Sequence, residues 1–408
     1  MSPTRGGVLL LGFLMSVITY LDRVCLSAAA PAITRDLGLT SMQMGYVFSA
    51  FALSYAIFEI PAGWWGDRIG QRPVLTRIVA GWSVFTILTG LVWSYAGLLA
   101  TRFIFGGAEA GAFPNLSRAL ARWYRPEERS WANGVMWTGA RVGGAVAPAL
   151  AALLIGYIGW RTTFAVFGAV GLVWCAAFWR WYRDGPLEPS AHTAAPWGRL
   201  LSHSTLWALS AMYFCSTYGF YFYVTWLPTF LMREHGLTLQ QSSFYAAAPL
   251  AAGAVGCMIG GIFADKLVRR TGNLKWARRA IGISGFTLAA LGFGFAAASH
   301  SPLAAVLCMA FASCCHDMTL PVTWATVTDV GGEFGGTTSA FMNMASSVSA
   351  MISATSAAWL ATTFGTFDVV LAAAAGTYFV GALLWLYIDP TRRLTPGDSP
   401  AARSLSPS

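Results

Sequence analysis

The chain has 408 residues, of which 56% are hydrophobic and only 11% are charged. A soluble domain carries about 25% charged residues, so a water-soluble globular fold is excluded. The formal net charge of +9 would suit nucleic acid, but no basic, aromatic-interleaved polar face exists to hold it, and that partner is excluded too.

Runs of about 20 apolar residues recur along the whole chain, each long enough to cross a bilayer as a helix. Helices are the expected spanning form, because lipid offers backbone groups no partners. The alternating pattern of a membrane β-barrel is absent. Twelve spans are predicted, near 7–31, 43–65, 73–94, 97–123, 130–156, 160–182, 205–232, 241–265, 278–299, 302–328, 336–362 and 365–388. The first run is too long, and too charged at Asp22 and Arg23, to be a cleaved leader.

The expected fold class is an all-α membrane protein with twelve transmembrane helices in two six-helix halves. The N-terminal half is 1–182 and the C-terminal half 205–389. The stretch 183–204, rich in Pro, Ser and Ala, reads as a mobile cytoplasmic linker. Residues 390–408 read as a disordered cytoplasmic tail. Most Lys and Arg residues fall at one membrane face, and only Arg35, Arg161 and Arg233 at the other. Both termini are therefore expected in the cytoplasm. The basic balance is a topology signal, helped by anionic lipid heads of the surrounding bilayer.

The seven cysteines lie in apolar stretches and read as small buried hydrophobes. Consecutive helical residues point in different directions, so "CCHD" (Cys314 to Asp317) does not predict a metal site, though His316 and Asp317 are candidates to line a cavity. No nucleotide-binding loop or catalytic triad appears, so neither an enzyme nor ATP-driven work is expected, and no cofactor is implied. Phe220, Tyr221, Phe222, Tyr223 and Trp226 form an aromatic cluster, readable as a gate or as packing.

An internal echo marks the two halves. "GWWGDRIGQR" supplies Gly63, Asp67, Arg68 and Arg72 after the second span; "GIFADKLVRR" supplies Gly261, Asp265, Lys266 and Arg270 after the eighth. Two six-helix halves in parallel orientation imply a site at their interface near the midplane.

Ionised groups at mid-membrane cost several kcal/mol and are usually functional. Asp22 lies about 15 residues into the first span, and Arg23 points about 100° away from it. Arg102 and Glu109 lie two turns apart on one face of the fourth span. Tyr55 in the second span lies at similar depth, Glu59 shares its face near the motif, and Arg141 sits in the fifth. A buried carboxyl beside an arginine can bind and lose a proton, and an arginine offers a planar fork to a substrate carboxylate. Competition between that carboxylate and Glu109 for an arginine would couple proton and anion.

The sequence resembles the major facilitator superfamily over essentially all twelve spans. "YLDR", "RFIFGGAEAGAFPN" and "RWYRPEERSWANG" together resemble its anion:cation symporter family, which includes sugar-acid, sialic acid and vesicular glutamate transporters. The resemblance implies a cytoplasmic latch at the two repeated motifs. It implies proton coupling at Asp22 and Glu109. It implies substrate contacts at Arg23, Tyr55, Arg102, Arg141 and Asn343, the last in "SAFMNMASS". The run "SSVSAMISATS" after Asn343 departs from the glycine- and asparagine-rich pattern of the family.

The expectation is a proton-coupled symporter, monomeric, in a bacterial inner membrane. It would import a small organic anion, a sugar acid or other carboxylate, by alternating access. A proton-coupled exporter of an anionic or drug-like compound, and a membrane sensor that binds without transport, are the alternatives.

Overall fold

The computed structural model describes residues 4–184 and 197–394, and these are helical throughout, with no strand among them. The N-terminal part comprises α1 (Arg5–Leu37), α2 (Ser41–Ile69), α3 (Gln71–Gly90), α4 (Tyr95–Glu109), α5 (Ala112–Trp123) and α6 (Arg129–Trp181). After the short α7 (Trp197–Ser202) come α8 (Ser204–Thr225), α9 (Leu227–His235), α10 (Leu239–Thr271) and α11 (Leu274–Ala297). The chain closes with α12 (Pro302–Asp317), α13 (Thr319–Gly331), α14 (Gly335–Phe364) and α15 (Asp368–Tyr387). Residues 185–196 of the expected linker and 395–408 of the expected tail lie outside the described residues. Of the linker, Trp197–Ser202 is helical.

These elements follow the order of the twelve expected spans, with instructive differences. The span expected at 97–123 is broken into α4 and α5 at Ala110 and Gly111, where Gly111 takes the left-handed φ of 77°. The span at 205–232 breaks at Trp226, and that at 302–328 at Met318. The fifth and sixth spans run together as the 53-residue α6, turned back at Gly159 with φ 76° and ψ 159°. A β-carbon is disfavoured at that positive φ, so glycine makes the reversal possible without a loop.

The second span runs past its expected end at 65, so Gly63, Asp67 and Arg68 of the first motif lie in the last turns of α2 and Arg72 in the first turn of α3. Helix α2 stops only at Gly70, φ 91°, whose amide donates to Gly66 O. Beyond the lipid, charged residues cost a helix nothing, so an apolar window underestimates its length.

The halves repeat at their helix starts as well. Thr40 and Gln43 form a reciprocal capping box on α2, and Thr238 and Gln241 form the same box on α10. Helix α2 packs along α14, and α10 along the first part of α6. These are the two seams between the halves. Small residues let the backbones approach: a β-carbon on Gly63 would fall 2.6 Å from Gly336 O, and one on Gly261 2.7 Å from Ser130 O.

The first and last described residues lie at one end of the bundle. Arg5 pairs with Glu128 next to α6, Arg129 pairs with Asp329 on α13, and Leu394 N donates to Val330 O at 2.9 Å. Large apolar side chains such as Leu53, Ile57, Val173, Phe295 and Phe379 point outward, as lipid requires.

Candidate substrate cavity and inter-half locks

A cavity of about 140 Å³ lies between the halves at mid-depth. Its walls include Tyr20 and Arg23 from α1, Tyr55 from α2, Arg141 from α6, and Asn343 with Ser346 and Ser347 from α14. Of the aromatic cluster on α8, Phe220 and Tyr221 face this cavity, whereas Phe222 and Tyr223 pack against Phe293, and Trp226 against Phe367.

Arg23 forms an ion pair with Glu109. The Arg23 side chain is 24% exposed and Glu109 wholly buried, so the arginine reaches the cavity while the carboxylate lies behind it. Three rings hold the guanidinium, with centres 4.8 Å (Tyr55), 5.4 Å (Phe51) and 5.8 Å (Tyr20) from its carbon. Such contacts orient a cation without neutralising it.

Helix α4 ends at Glu109 because Gly111 breaks the backbone two residues later. Asp22 lies near Glu109 and Arg102. Its carboxylate is buried, with the Trp82 indole as the hydrogen-bond donor beside it and no ion pair to an arginine. Asp22 and Arg23, neighbours in sequence, thus both adjoin Glu109, and only Arg23 is paired with it. Arg102 does not line the cavity. It is buried behind Asp22 and Glu109, its carbon 3.9 Å above the Phe105 ring centre, with Nε and Nη1 unbonded among the described residues. Only a wall movement would bring it to a substrate.

Two further carboxylates bridge the halves at this depth. Glu59 on α2 accepts from Asn343 Nδ2 on α14. Its place near the motif in sequence suggested a part in the latch; its partner Asn343 instead lines the cavity. Asp317, at the end of α12, takes Arg141 in a two-pronged pair at 2.6 and 2.8 Å. His316 Nδ1 lies 3.0 Å from Asp317 Oδ1, and His316 Nε2 lies 2.6 Å from Ser216 Oγ. The serine run after Asn343 divides its work: Ser346 and Ser347 face the cavity, while Ser349 and Ser353 donate to Phe214 O and Tyr218 O on α8.

The end of the bundle carrying the termini is locked between the halves. Asp67 accepts from Gly336 N at 2.9 Å, Thr337 N at 2.7 Å and Thr337 Oγ1 at 2.8 Å, capping α14 across the seam. Arg118 lies 3.5 Å from the same carboxylate. The repeat does likewise: Asp265 accepts from Trp131 N, in the first turn of α6, at 2.7 Å. Free amides and the positive end of a helix dipole favour an anion there.

The basic motif residues do less bridging than their spacing suggested. Arg72 reaches Trp179 O and lies over its ring, within one half, and Arg68 stacks on Trp64 of its own helix. Lys266 and Arg270 are exposed. Most basic bridges come from residues outside the motif: Arg129 and Arg278 share Asp329, and Arg118 donates to Glu333 O, while within the second stretch Arg269 reaches Glu128 at 3.7 Å. At the opposite end of the bundle, polar bonds among the described residues stay within a half, as with Arg161 to Asp36 and Glu234 to Phe367 N. The cavity is thus sealed towards the termini.

Two pseudo-equivalent halves with a charged cavity between them define a membrane transporter, not an enzyme. A family model described as Major Facilitator Superfamily matches residues 12–354, and the chain belongs to that superfamily. It is 34% identical to a probable sulfoacetate transporter, SauU, of Cupriavidus necator, over 97% of this chain and 96% of that protein. It is 29% identical to a D-galactonate transporter of Escherichia coli, over 92% of this chain and 93% of the relative. Among solved structures, the human organic anion transporter MFSD10 superposes with a TM-score of 0.79 at 17% identity, covering 94% of this chain and all of that one.

Proposed function

We propose that the protein is a proton-coupled symporter that imports a small organic anion, a sugar acid or another carboxylate or sulfonate, by alternating access. The observation that carries this reading is the Arg23–Glu109 pair, with the arginine in the cavity wall and the carboxylate behind it. Protonation of Glu109 frees Arg23 for a substrate anion, and departure of the anion returns Arg23 to Glu109 as the proton leaves. Asp22, buried beside Glu109 without an ion pair of its own, is the second proton site. Tyr55, Arg141 and Asn343 contact substrate in the state described, and Arg102 after the walls move. The proton is the coupling ion, and no other cofactor is needed.

The excess of Lys and Arg at the end bearing the termini supports a cytoplasmic location for it, in a bacterial inner membrane. On that orientation the structure described is sealed to the cytoplasm by the Asp67 and Asp265 caps. Those caps break when the halves rock. The proposed unit is a monomer, with the cavity lying between the two halves of one chain. The relatives' substrates, sulfoacetate and galactonate, support an anionic cargo.

The test is accumulation of a panel of labelled sulfonates, sugar acids and short carboxylates in proteoliposomes under an imposed pH gradient. Accumulation of one or more, abolished by a protonophore, is expected. If none accumulates, the substrate class is wrong.

A further inference from the structure

In the sealed state described, the cavity fits only the compact members of the proposed substrate class without movement of its walls. It measures about 140 Å³; a cavity of about 150 Å³ holds a six-membered carbon ring. A six-carbon sugar acid, with about twice the heavy atoms of such a ring, overfills it.

The cavity also has two cationic sites. Arg23 projects from α1 and Arg141 from α6. Each lies against an aromatic face, Arg141 with its carbon 4.1 Å from the Phe220 ring centre, and Tyr20 lies near both arginines. Each has one carboxylate as resident counter-ion, Glu109 and Asp317, and both of these are wholly buried. Neither carboxylate lines the cavity. A ligand entering therefore meets two guanidinium forks and no carboxylate.

Asp317 has somewhere to go when Arg141 is taken. His316 Nδ1 is already 3.0 Å from its Oδ1, and Ser216 holds the far side of the imidazole. A buried carboxylate stripped of its arginine would otherwise be strongly destabilising. Arg141 and Asp317 also belong to different halves, so their separation removes a mid-depth tie between the halves.

We infer that the substrate is a compact dianion, with a carboxylate or sulfonate at each end, which bridges Arg23 and Arg141 and displaces Asp317 from Arg141 onto His316. This rests on the anion-transport reading above and narrows it: one end of the ligand replaces Glu109 at Arg23, the other replaces Asp317 at Arg141. A monoanion satisfies one fork and leaves the Arg141–Asp317 tie in place.

The test compares labelled malonate and succinate with their monomethyl esters, which differ by one charge at nearly constant size. Uptake into proteoliposomes of the full chain is measured under a pH gradient. The diacids are expected to exceed the monoesters at least tenfold in kcat/KM. The double variant Arg141→Gln with Asp317→Asn replaces both charges by neutral amides and leaves no orphan charge, and it should bring the ratio to within twofold. Monoesters moved as well as diacids by the wild type would overturn the inference and leave the transport reading standing. So would a double variant that keeps the tenfold ratio. If the wild type accumulates none of these four anions but another of the panel above, this inference falls alone; if it accumulates no anion at all, both readings fall. The wild-type ratio decides even if the double variant does not fold.

Discussion

Asp67 and Gly336 lie on different halves of the protein, and the Asp67 carboxylate accepts the Gly336 amide at 2.9 Å. With the two bonds from Thr337 it closes the first turn of α14 from across the seam. A hydrogen bond to a charged group contributes about 1.5–3 kcal/mol. Replacing Asp67 by Ala should therefore destabilise the sealed state by about 2 kcal/mol, a shift of roughly thirtyfold in the conformational equilibrium. Spin labels at the exposed Glu127 and Glu333, in a cysteine-free background, report the change as a longer distance population. An unchanged distribution would mean the cap does not hold the seam.

The glycines of the two motifs make a separate prediction. A methyl group on Gly63 would meet Ala340 Cβ and Gly336 O, both at 2.6 Å, and one on Gly261 would meet Ser130 O at 2.7 Å. Neither neighbour can give way, because each sits on a packed helix. Gly63→Ala and Gly261→Ala should each lower transport at least tenfold with normal membrane expression. Exposed Gly294, where a methyl would meet nothing within 4 Å, is the control and should tolerate alanine.

Asp22 should separate stability from coupling. The Trp82 indole is the donor beside its carboxylate, and an asparagine amide oxygen accepts from it equally, so Asp22→Asn keeps that contact. Thermal stability in detergent is expected to stay within about 1 kcal/mol of wild type or to rise, since an isolated buried charge is costly. Gradient-driven uptake should fall at least tenfold. A variant that unfolds while retaining coupling would reverse both halves of the assignment.

Asp389 follows α15 beyond the membrane-spanning segments and carries a pH signature. Burial raises its pKa, but the bonds from Lys275 at 2.8 Å and from Thr391 outweigh this and hold it at about 2. A carboxylate depressed in the folded state stabilises the fold above its unfolded pKa of about 3.9 and loses that contribution as pH falls towards 2. The melting temperature of Asp389→Asn should lie below wild type by a constant margin from about pH 5 to 7, and the margin should close between about pH 4 and 2. A margin that persists at the acid end would show that the carboxylate charge is not the cause.

The spans were legible because lipid imposes a crude rule, about 20 apolar residues in a helix, and α15 or α11 obey it plainly. The breaks after Glu109 and at Met318 were not legible. They serve packing between the halves, and apolar composition is the same on either side of them. The repeat around Gly63 and Gly261 was visible as residue types, but its partners were not, since the first turns of α14 and α6 carry no shared motif. Asp317 was weighed as a metal ligand and as a cavity residue; its actual partner, Arg141, lies 176 residues away. An intramembrane arginine and an intramembrane aspartate in opposite halves are the signal that could have paired them. Arg102 and Glu109 share a helix face, yet only Glu109 has an arginine in the cavity wall as its partner. The packing of α4 against its neighbours decides that, and spacing alone does not contain it.

The central claim is that Glu109 exchanges Arg23 for a proton. It is tested most directly by comparing two activities of Glu109→Gln in proteoliposomes, using a transported anion. The account expects gradient-driven accumulation to be lost, while exchange of labelled for unlabelled anion without a gradient persists within about tenfold of wild type. Accumulation driven by the pH gradient at wild-type level in Glu109→Gln would contradict it.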